Sequence, residues 1–574
     1  MKIFRENAFK IRFKKNSSYY SFSSLRGLIK LSKFNKVIKK IYKIVASFIR
    51  RNYYYYYQYI YQLITLVVCS RIMRFQSLLK FSNGVRNQCR MYMSSGLPEF
   101  TQKHYNVKRG NYAMLEDKDV NFFNSLMGGQ YVLQDDGSDD LLRYNVDFLR
   151  GVRGDSKLVL RPGTTQEISE ILKYCNKRHL AICPQGGNTG LVGGAVPVCD
   201  EIILSLARLN KVLNIDEITG IASCEAGCIL ENLDAKAREK NLIVPIDLGA
   251  KSSCHIGGNL STNAGGLRVL RYGNLHGSVL GVEVVLANGA ILDLMSNFKK
   301  DNTGYHLKHL FIGSEGTLGI VTKLAILCQP VSSSVHVAFV GLNSFNSVLK
   351  TFANAKRYLS EILSACELID ARALDASVSN YNLKSPIEQY PFHMLIETSG
   401  SNGEHDSEKL NIFLQHCMDN GDVLNGTVTN EVGKIQQIWK LRELIPTALI
   451  KDGFCFKYDI SLPLRSFYDI VPVLEKHVGS MAKRVCGYGH LGDSNLHLNV
   501  SCDKYSRELY ERIEPFIYEF TAKLKGSISA EHGIGFTKKN YLKYSKSPEA
   551  IAMMREVKKL LDPSGILNPY KVLD

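Results

Sequence analysis

The 574-residue chain is too long for one hydrophobic core, so two or three domains are expected. Its formal net charge of +18 sits in the first hundred residues, where twenty Lys/Arg face only Glu6 and Glu99; the remaining 52 basic and 52 acidic residues balance. That excludes polyanion binding by net charge for the folded body, and no nucleic-acid partner is expected.

Residues 1–95 read as a basic leader rich in Arg, Lys, Ser and Tyr, the composition of an organelle-targeting peptide. Met73 opens a compact alternative start, MRFQSLLKFSNGVRNQCRMYMSS, free of acids. Residues 52–70 are uncharged and just long enough to span a bilayer, but five consecutive tyrosines make a poor span, so no membrane anchor is expected. Fourteen cysteines without a CxxC pair suggest thiols in a reducing compartment.

Residues 96–150 mix charges and turn formers and read as an irregular lead-in. From Ser156 the pattern sharpens. A short extended segment at 159–161 turns at Pro162-Gly163, and Thr164 with Glu167 opens a helix carrying Ile168, Ile171, Leu172 and Cys175 at helical spacing. Strands are expected at 180–183, 202–206 and 221–224, and a helix at 227–240. Segments 282–286 and 291–294 flank Ala287-Asn288-Gly289, a hairpin signal. Three glycine clusters, PQGGNTGLVGG, HIGGNLSTNAGG and FIGSEGTLGIVT, each lie beside a strand. Glycines let main-chain N–H groups approach an anion closely, so three such loops favour a large phosphate-bearing cofactor over mere turns.

The middle block alternates strand and helix: strands near 335–340 and 393–397, helix within 345–366, and a helix over 434–450 that carries Arg442. Residues 455–462 set Lys457, Asp459 and Ser461 against Tyr458, Ile460 and Leu462. Next comes GYGHLGDSNLHLNV. It fits G-x-G-x-x-G literally, but a strand pattern follows where a dinucleotide site needs a helix. Asn495, His497 and Asn499 share one strand face, and His490 lies seven residues before His497 across a turn. SAEHGIG then supplies Glu531 and His532. Imidazoles plus a carboxylate are the raw material of a transition-metal site.

PQGGNTGLVGG, GGNLSTNAGG with YGNLHGSVLGVE after it, and IGSEGTLGI together resemble the flavin domain of the vanillyl-alcohol oxidase (PCMH-type) superfamily. GYGHLGDSNLHLNV, SAEHGIG and LDPSGILNPYKVL narrow the resemblance to the D-2-hydroxy-acid dehydrogenases, over about residues 110–574. The resemblance implies an α+β fold: a two-subdomain FAD-binding domain at 151–332, an α+β substrate domain at 333–525, and a C-terminal helical segment at 526–574 that returns to the flavin.

FAD would lie along Pro184, Gln185, Gly186, Gly187, Asn188, Thr189 and Gly190 of the first loop. From the second loop the resemblance implies Gly257, Gly258, Asn259 and Ser261, then Thr262, Asn263, Gly265 and Gly266. Glu315, Gly316 and Ile320 would come from the third loop and Asn568 from the C-terminus. Asn188 stands where covalent branches carry histidine, which implies non-covalent FAD. The same resemblance makes His490, His497 and Glu531 ligands of Zn²⁺, with Mn²⁺ or Co²⁺ also suited to the set. His532 is implied as general base, and Arg442, Lys457 and Asn499 as substrate contacts.

The implied reaction oxidises D-2-hydroxyglutarate in the mitochondrial matrix, with electron-transferring flavoprotein as acceptor and a possible homodimer. The alternatives are D-lactate, D-malate or glycolate as substrate, a non-catalytic FAD-binding scaffold, or an anchored quinone reductase. One departure bears on substrate: Pro446 stands where the family carries a substrate-contacting threonine, and Thr447 follows.

Overall fold

The computed structural model describes residues 98–573 apart from 136 and 138. The leader at 1–95, the stretch at 52–70 and the Met73 start lie outside the described residues. Among the described residues no helix is long and apolar enough to cross a membrane.

The first sheet contains β1 (Val132–Gln134), β2 (Leu158–Leu160), β3 (Ile182–Gln185) and β4 (Ile202–Ser205) in the order β1-β2-β4-β3. β2, β4 and β3 run parallel, which long crossover connections between them allow. Helix Thr165–Arg178 makes one such crossover; Thr164 caps it through Glu167 N, and Ile168, Ile171, Leu172 and Cys175 are all buried. The second sheet contains β5 (Val212–Asp216), β6 (Ile221–Glu225), β8 (Val279–Val285), β9 (Ile291–Leu294) and β10 (Ile320–Leu327), in the antiparallel order β5-β6-β10-β8-β9. A two-residue pair, β7 (Leu242–Ile243) with β11 (Gln329–Pro330), closes its edge region.

The third sheet has seven strands: β12 (Ser334–Leu342), β13 (Leu363–Asp370), β14 (Phe392–Gly400), β15 (Asn425–Thr429), β16 (Phe454–Ser461), β17 (Arg484–His490) and β18 (Asn495–Cys502). The order is β15-β12-β14-β13-β17-β18-β16, all antiparallel. Its apolar face, including Ile460, Leu496, Leu498 and Val500, packs on one set of helices. The opposite face receives helices Ala371–Tyr381 and Val432–Glu443 and presents the polar set described below.

Three expectations are corrected. The 96–150 lead-in contains regular elements: helix Asp117–Met127 carries a Glu116/Asp119 capping box and buries Phe123 and Met127, while β1 joins the first sheet. The helix expected over 434–450 is two helices, Val432–Glu443 and Ile445–Lys451. Proline lacks the N–H that a continuous helix needs, so Pro446 sits in the first turn of the second helix. Within the second glycine cluster, Ile256–Ser261 forms a short helix rather than a loop.

Candidate active site

Cross-strand pairing lays out the site. Directly opposed residues of antiparallel strands share a face. β18 pairs His497 with Tyr488 of β17 on one side and with Asp459 of β16 on the other. One step along, Asn499 lies between Cys486 and Lys457. At the strand end His490 pairs with Asn495, and across β13 with Glu367. The alternation read from the sequence is therefore the register of the sheet.

His490 Nε2 is 3.3 Å from His497 Nε2, and His497 Nε2 is 3.8 Å from Glu531 Oε1. His532 Nε2 lies 4.0 Å from the same Glu531 oxygen. Glu531 and His532 reach the sheet because Asp459 Oδ2 accepts both of their backbone N–H groups, each at 3.0 Å. Asp459 also stands 3.9 Å from His497 Nδ1 and 3.7 Å from His532 Nδ1. Asp459, His497, Glu531 and His532 are thus close enough to hold a cation as a group of their own. Asp459 Oδ2 is occupied by the two amides, while Oδ1 is buried without a hydrogen-bond partner among the described residues, and the carboxylate meets both rings on their Nδ1 side. His490 adjoins this group through its Nε2, 3.3 Å from His497 Nε2.

Electrostatics follow burial. Desolvation pushes His497 well below its ordinary value and lowers His532, which favours the neutral form of both rings. Burial pushes Glu531 up to about 7, against the pull of the nearby His490 and Arg442 charges. Burial opposes charge on His490 too, but the Glu367 carboxylate outweighs it and raises the ring to about 9. A carboxylate that favours positive charge on an imidazole favours a proton or a metal at Nε2 alike.

Arg442 is buried; its Nε donates to Glu367 Oε2 at 2.8 Å, and its guanidinium lies 4.7 Å from the centroid of the Tyr488 ring. It forms no other side-chain hydrogen bond among the described residues, so both terminal nitrogens stay available. Lys457 is half-buried, without an ion-pair partner among the described residues, and burial lowers its pKa. Thr447 is turned away: its Oγ1 donates to Leu444 O and accepts from Tyr381 OH.

The glycine segments close on this face. A Cβ on Gly187 would stand 2.2 Å from Ser253 O, so the first two clusters pack backbone to backbone, whereas Gly190 and Gly258 face open space. Gly265 is close enough to Glu531 that a Cβ would stand 3.4 Å from Oε2. Glu315 Oε1 and Oε2 accept from Ile534 N and Gly535 N at 2.7 and 2.8 Å, tying the third cluster to the SAEHGIG loop. Asn568 Nδ2 donates to Gly194 O and Glu315 O, and Lys571 Nζ donates to Asn568 Oδ1.

Residues 156–295 match the family model described as "FAD binding domain", and residues 331–572 match "FAD linked oxidases, C-terminal domain". The mitochondrial D-2-hydroxyglutarate dehydrogenase of Rattus norvegicus is 50% identical over 488 residues, 84% of this chain and 91% of that protein. The chain belongs to the D-2-hydroxyglutarate dehydrogenase family. A D-2-hydroxyglutarate–pyruvate transhydrogenase of Saccharomyces cerevisiae is 43% identical, covering 81% of this chain and 97% of that one. A solved p-cresol methylhydroxylase shares the fold at 17% identity and TM-score 0.66, covering 83% of this chain and 99% of that one.

Within this family the chain is a flavin-dependent oxidoreductase with the PCMH-type α+β fold, and mitochondrial location follows from the relatives. The residues present fit FAD. A Cβ on Gly190 or Gly258 would meet open space, and His255 Nδ1 and Asn259 Oδ1 are buried without hydrogen-bond partners among the described residues. Several expected flavin residues spend their side chains inside the protein. Gln185 Nε2 donates to Tyr144 O and Ala195 O, Asn188 Nδ2 to Val146 O, Ser261 Oγ to Gly257 O and Thr262 Oγ1 to Gly258 O. Asn263 Oδ1 accepts from His276 N. Pro184 packs against Gly316, which adopts φ +71, and Ile320 is buried at the start of β10.

Sequence reading missed two buried carboxylates, Glu367 and Asp459. Asp459 carried a visible signal, its phase with Lys457 on one strand. Glu367 carried none, being one acid within a fully buried strand.

Proposed function

We propose that this flavoprotein oxidises D-2-hydroxyglutarate to 2-oxoglutarate, with a divalent metal, Zn²⁺ foremost, held by His490, His497 and Glu531. The observation that carries the reading is the 3.3 Å separation of the two Nε2 atoms with Glu531 Oε1 at 3.8 Å. Metal–nitrogen bonds of about 2.0–2.1 Å in tetrahedral geometry separate two nitrogens by about 3.3–3.4 Å. When bound, FAD supplies the acceptor for the two electrons leaving substrate C2, and the metal lowers the pKa of the substrate hydroxyl.

The chain's own residues do the rest. His532, neutral through burial, takes the hydroxyl proton at Nε2. Asp459 holds His532 and Glu531 by their amides, so the base and the carboxylate move together. Arg442 offers its two free terminal nitrogens to one substrate carboxylate, and Lys457 a point charge to the acidic end. Asn499, beside Lys457 in the sheet, contacts the substrate near the metal. The flavin loops fall at 151–332, the substrate module at 333–525 and the closing segment at 526–574.

A second reading, oxidation of D-lactate, is favoured by one observation: Thr447 is turned to Tyr381, so no hydroxyl replaces the one that Pro446 removes. We further propose a transit peptide within the basic leader, location in the matrix, electron-transferring flavoprotein as acceptor, and a homodimer. Anaerobic flavin reduction with a panel of D-2-hydroxy acids tests the substrate. Bleaching by D-2-hydroxyglutarate at the lowest concentration supports the first reading, and a D-lactate preference supports the second.

A further inference from the structure

Glu367 lies at the junction of two functions. It is buried on β13, directly opposite His490 on β17. Its Oε1 is 2.6 Å from His490 Nδ1, and its Oε2 accepts from Arg442 Nε at 2.8 Å. The Tyr488 ring, two residues before His490 on the same strand, faces the Arg442 guanidinium. One carboxylate therefore touches both an imidazole proposed to hold metal and a guanidinium proposed to hold substrate.

We propose that Glu367 is a positioning residue that couples metal binding to recognition of the substrate carboxylate. The inference rests on the metal and substrate assignments above. A carboxylate only accepts hydrogen bonds, so Oε1 keeps a ring proton of His490 on Nδ1 and leaves Nε2 as the nitrogen that a metal would take in place of a second proton. That nitrogen faces His497 Nε2. Oε2 occupies Arg442 Nε and turns the guanidinium so that its terminal nitrogens are free for a ligand. Because both partners hold one rigid carboxylate, a shift at either end moves the other.

Glutamine at this position has the same shape and one acceptor too few. With its amide NH₂ toward His490, Nδ1 must accept, the ring proton moves to Nε2, and the metal lone pair is lost. With its NH₂ toward Arg442, two donors face each other and the guanidinium must rotate. One partner can be kept, but not both.

The test compares wild type, E367Q, E367D and H490A as FAD-loaded proteins stripped of metal. Zn²⁺ affinity is measured by competition with a chromophoric chelator, and the coordination by the visible absorption of added Co²⁺. KM and kcat for D-2-hydroxyglutarate follow after metal is restored. E367Q is expected to weaken Zn²⁺ about 10–100-fold. It is also expected to raise KM about tenfold or more. E367D, with the charge but a shorter reach, is expected to fall between. Bound FAD reports folding, and if E367Q loses FAD, E367D decides on the same two readings. Unchanged Zn²⁺ affinity, or weakened Zn²⁺ with unchanged KM, overturns the coupling. If wild type takes up no Zn²⁺, or H490A binds it as tightly, the metal assignment itself fails, which is a distinct result.

Discussion

His490 Nε2 and His497 Nε2 stand 3.3 Å apart, although seven residues and a tight turn separate them in sequence. The hairpin of β17 and β18 brings them together; Glu367 holds the far side of the His490 ring at 2.6 Å, and Asp459 stands 3.9 Å behind His497 Nδ1. The two Nε2 atoms face each other. The expectations below follow from that arrangement and its surroundings.

Asp459 is the post on which the SAEHGIG loop hangs. D459A removes the acceptor for two backbone N–H groups, an expected cost of about 1–3 kcal/mol per unsatisfied group. Thermal unfolding of the FAD-loaded protein should shift down, and kcat should fall more than KM rises. An unchanged kcat would show that Glu531 and His532 keep their places without it.

His532 should be separable from the metal. H532A is expected to lower the rate of flavin reduction by about 10²–10⁴ while leaving bound Zn²⁺ and FAD intact. A rate near that of wild type would remove His532 from the role of base.

Pro446 should set the preference between substrates. P446T restores a hydroxyl in the first turn of helix Ile445–Lys451, where proline is not required. Its expected effect is a rise of about tenfold in kcat/KM for D-2-hydroxyglutarate over D-lactate, the worth of one hydrogen bond to a charged group. No change in the ratio would place selection elsewhere, with Lys457 the next residue to alter.

The chain's single tryptophan reports the join between the segment after the second glycine cluster and helix Val432–Glu443. Glu397 accepts from Trp439 Nε1 at 2.9 Å and from Arg268 Nε at 3.0 Å, and Arg268 follows the second glycine cluster directly. Ser364 Oγ donates to the same carboxylate at 2.7 Å, so E397A leaves the indole and this hydroxyl without their acceptor while Arg268 keeps Asp247, for an expected loss of about 3 kcal/mol. Tryptophan emission should shift to the red and FAD should be held less tightly. Unaltered emission would mean that the indole is not held by this carboxylate.

Acid stability should depend on Asp119. Burial by itself raises this carboxyl, but Arg178, Tyr174 and the Glu116 amide outweigh it, so it lies below the usual range. A carboxyl depressed on folding stabilises the protein above its unfolded pKa and loses that contribution as pH falls through the folded value. The gap in melting temperature between wild type and D119N should be widest near neutral pH and shrink below about pH 4. A gap that is constant with pH would contradict the pairing.

Much of the site was legible because strand phase is a local property. Asn495, His497 and Asn499 alternate with buried leucines and valine, and no other element is needed to read that pattern. The three glycine clusters were legible for the same reason. Glu367 was not: it lies 123 positions before His490, and only the order of strands in the sheet makes them neighbours. The helix Asp117–Met127 escaped because a glutamate caps it and charges interrupt its apolar stripe. The break at Pro446 turned one expected helix into two. The bonds of Asn568 to Gly194, Glu315 and Lys571 were not legible, because they exist only once the C-terminus has returned.

The central claim is that a metal held by His490, His497 and Glu531 is needed for this flavoprotein to oxidise a D-2-hydroxy dicarboxylate. Anaerobic flavin reduction by D-2-hydroxyglutarate, D-malate, D-lactate and glycolate, each with native, chelator-stripped and Zn²⁺-restored protein, tests it most directly. The expected result is fastest reduction by D-2-hydroxyglutarate, abolished on stripping with FAD still bound and recovered on adding Zn²⁺. Full reduction by the stripped protein would contradict the claim.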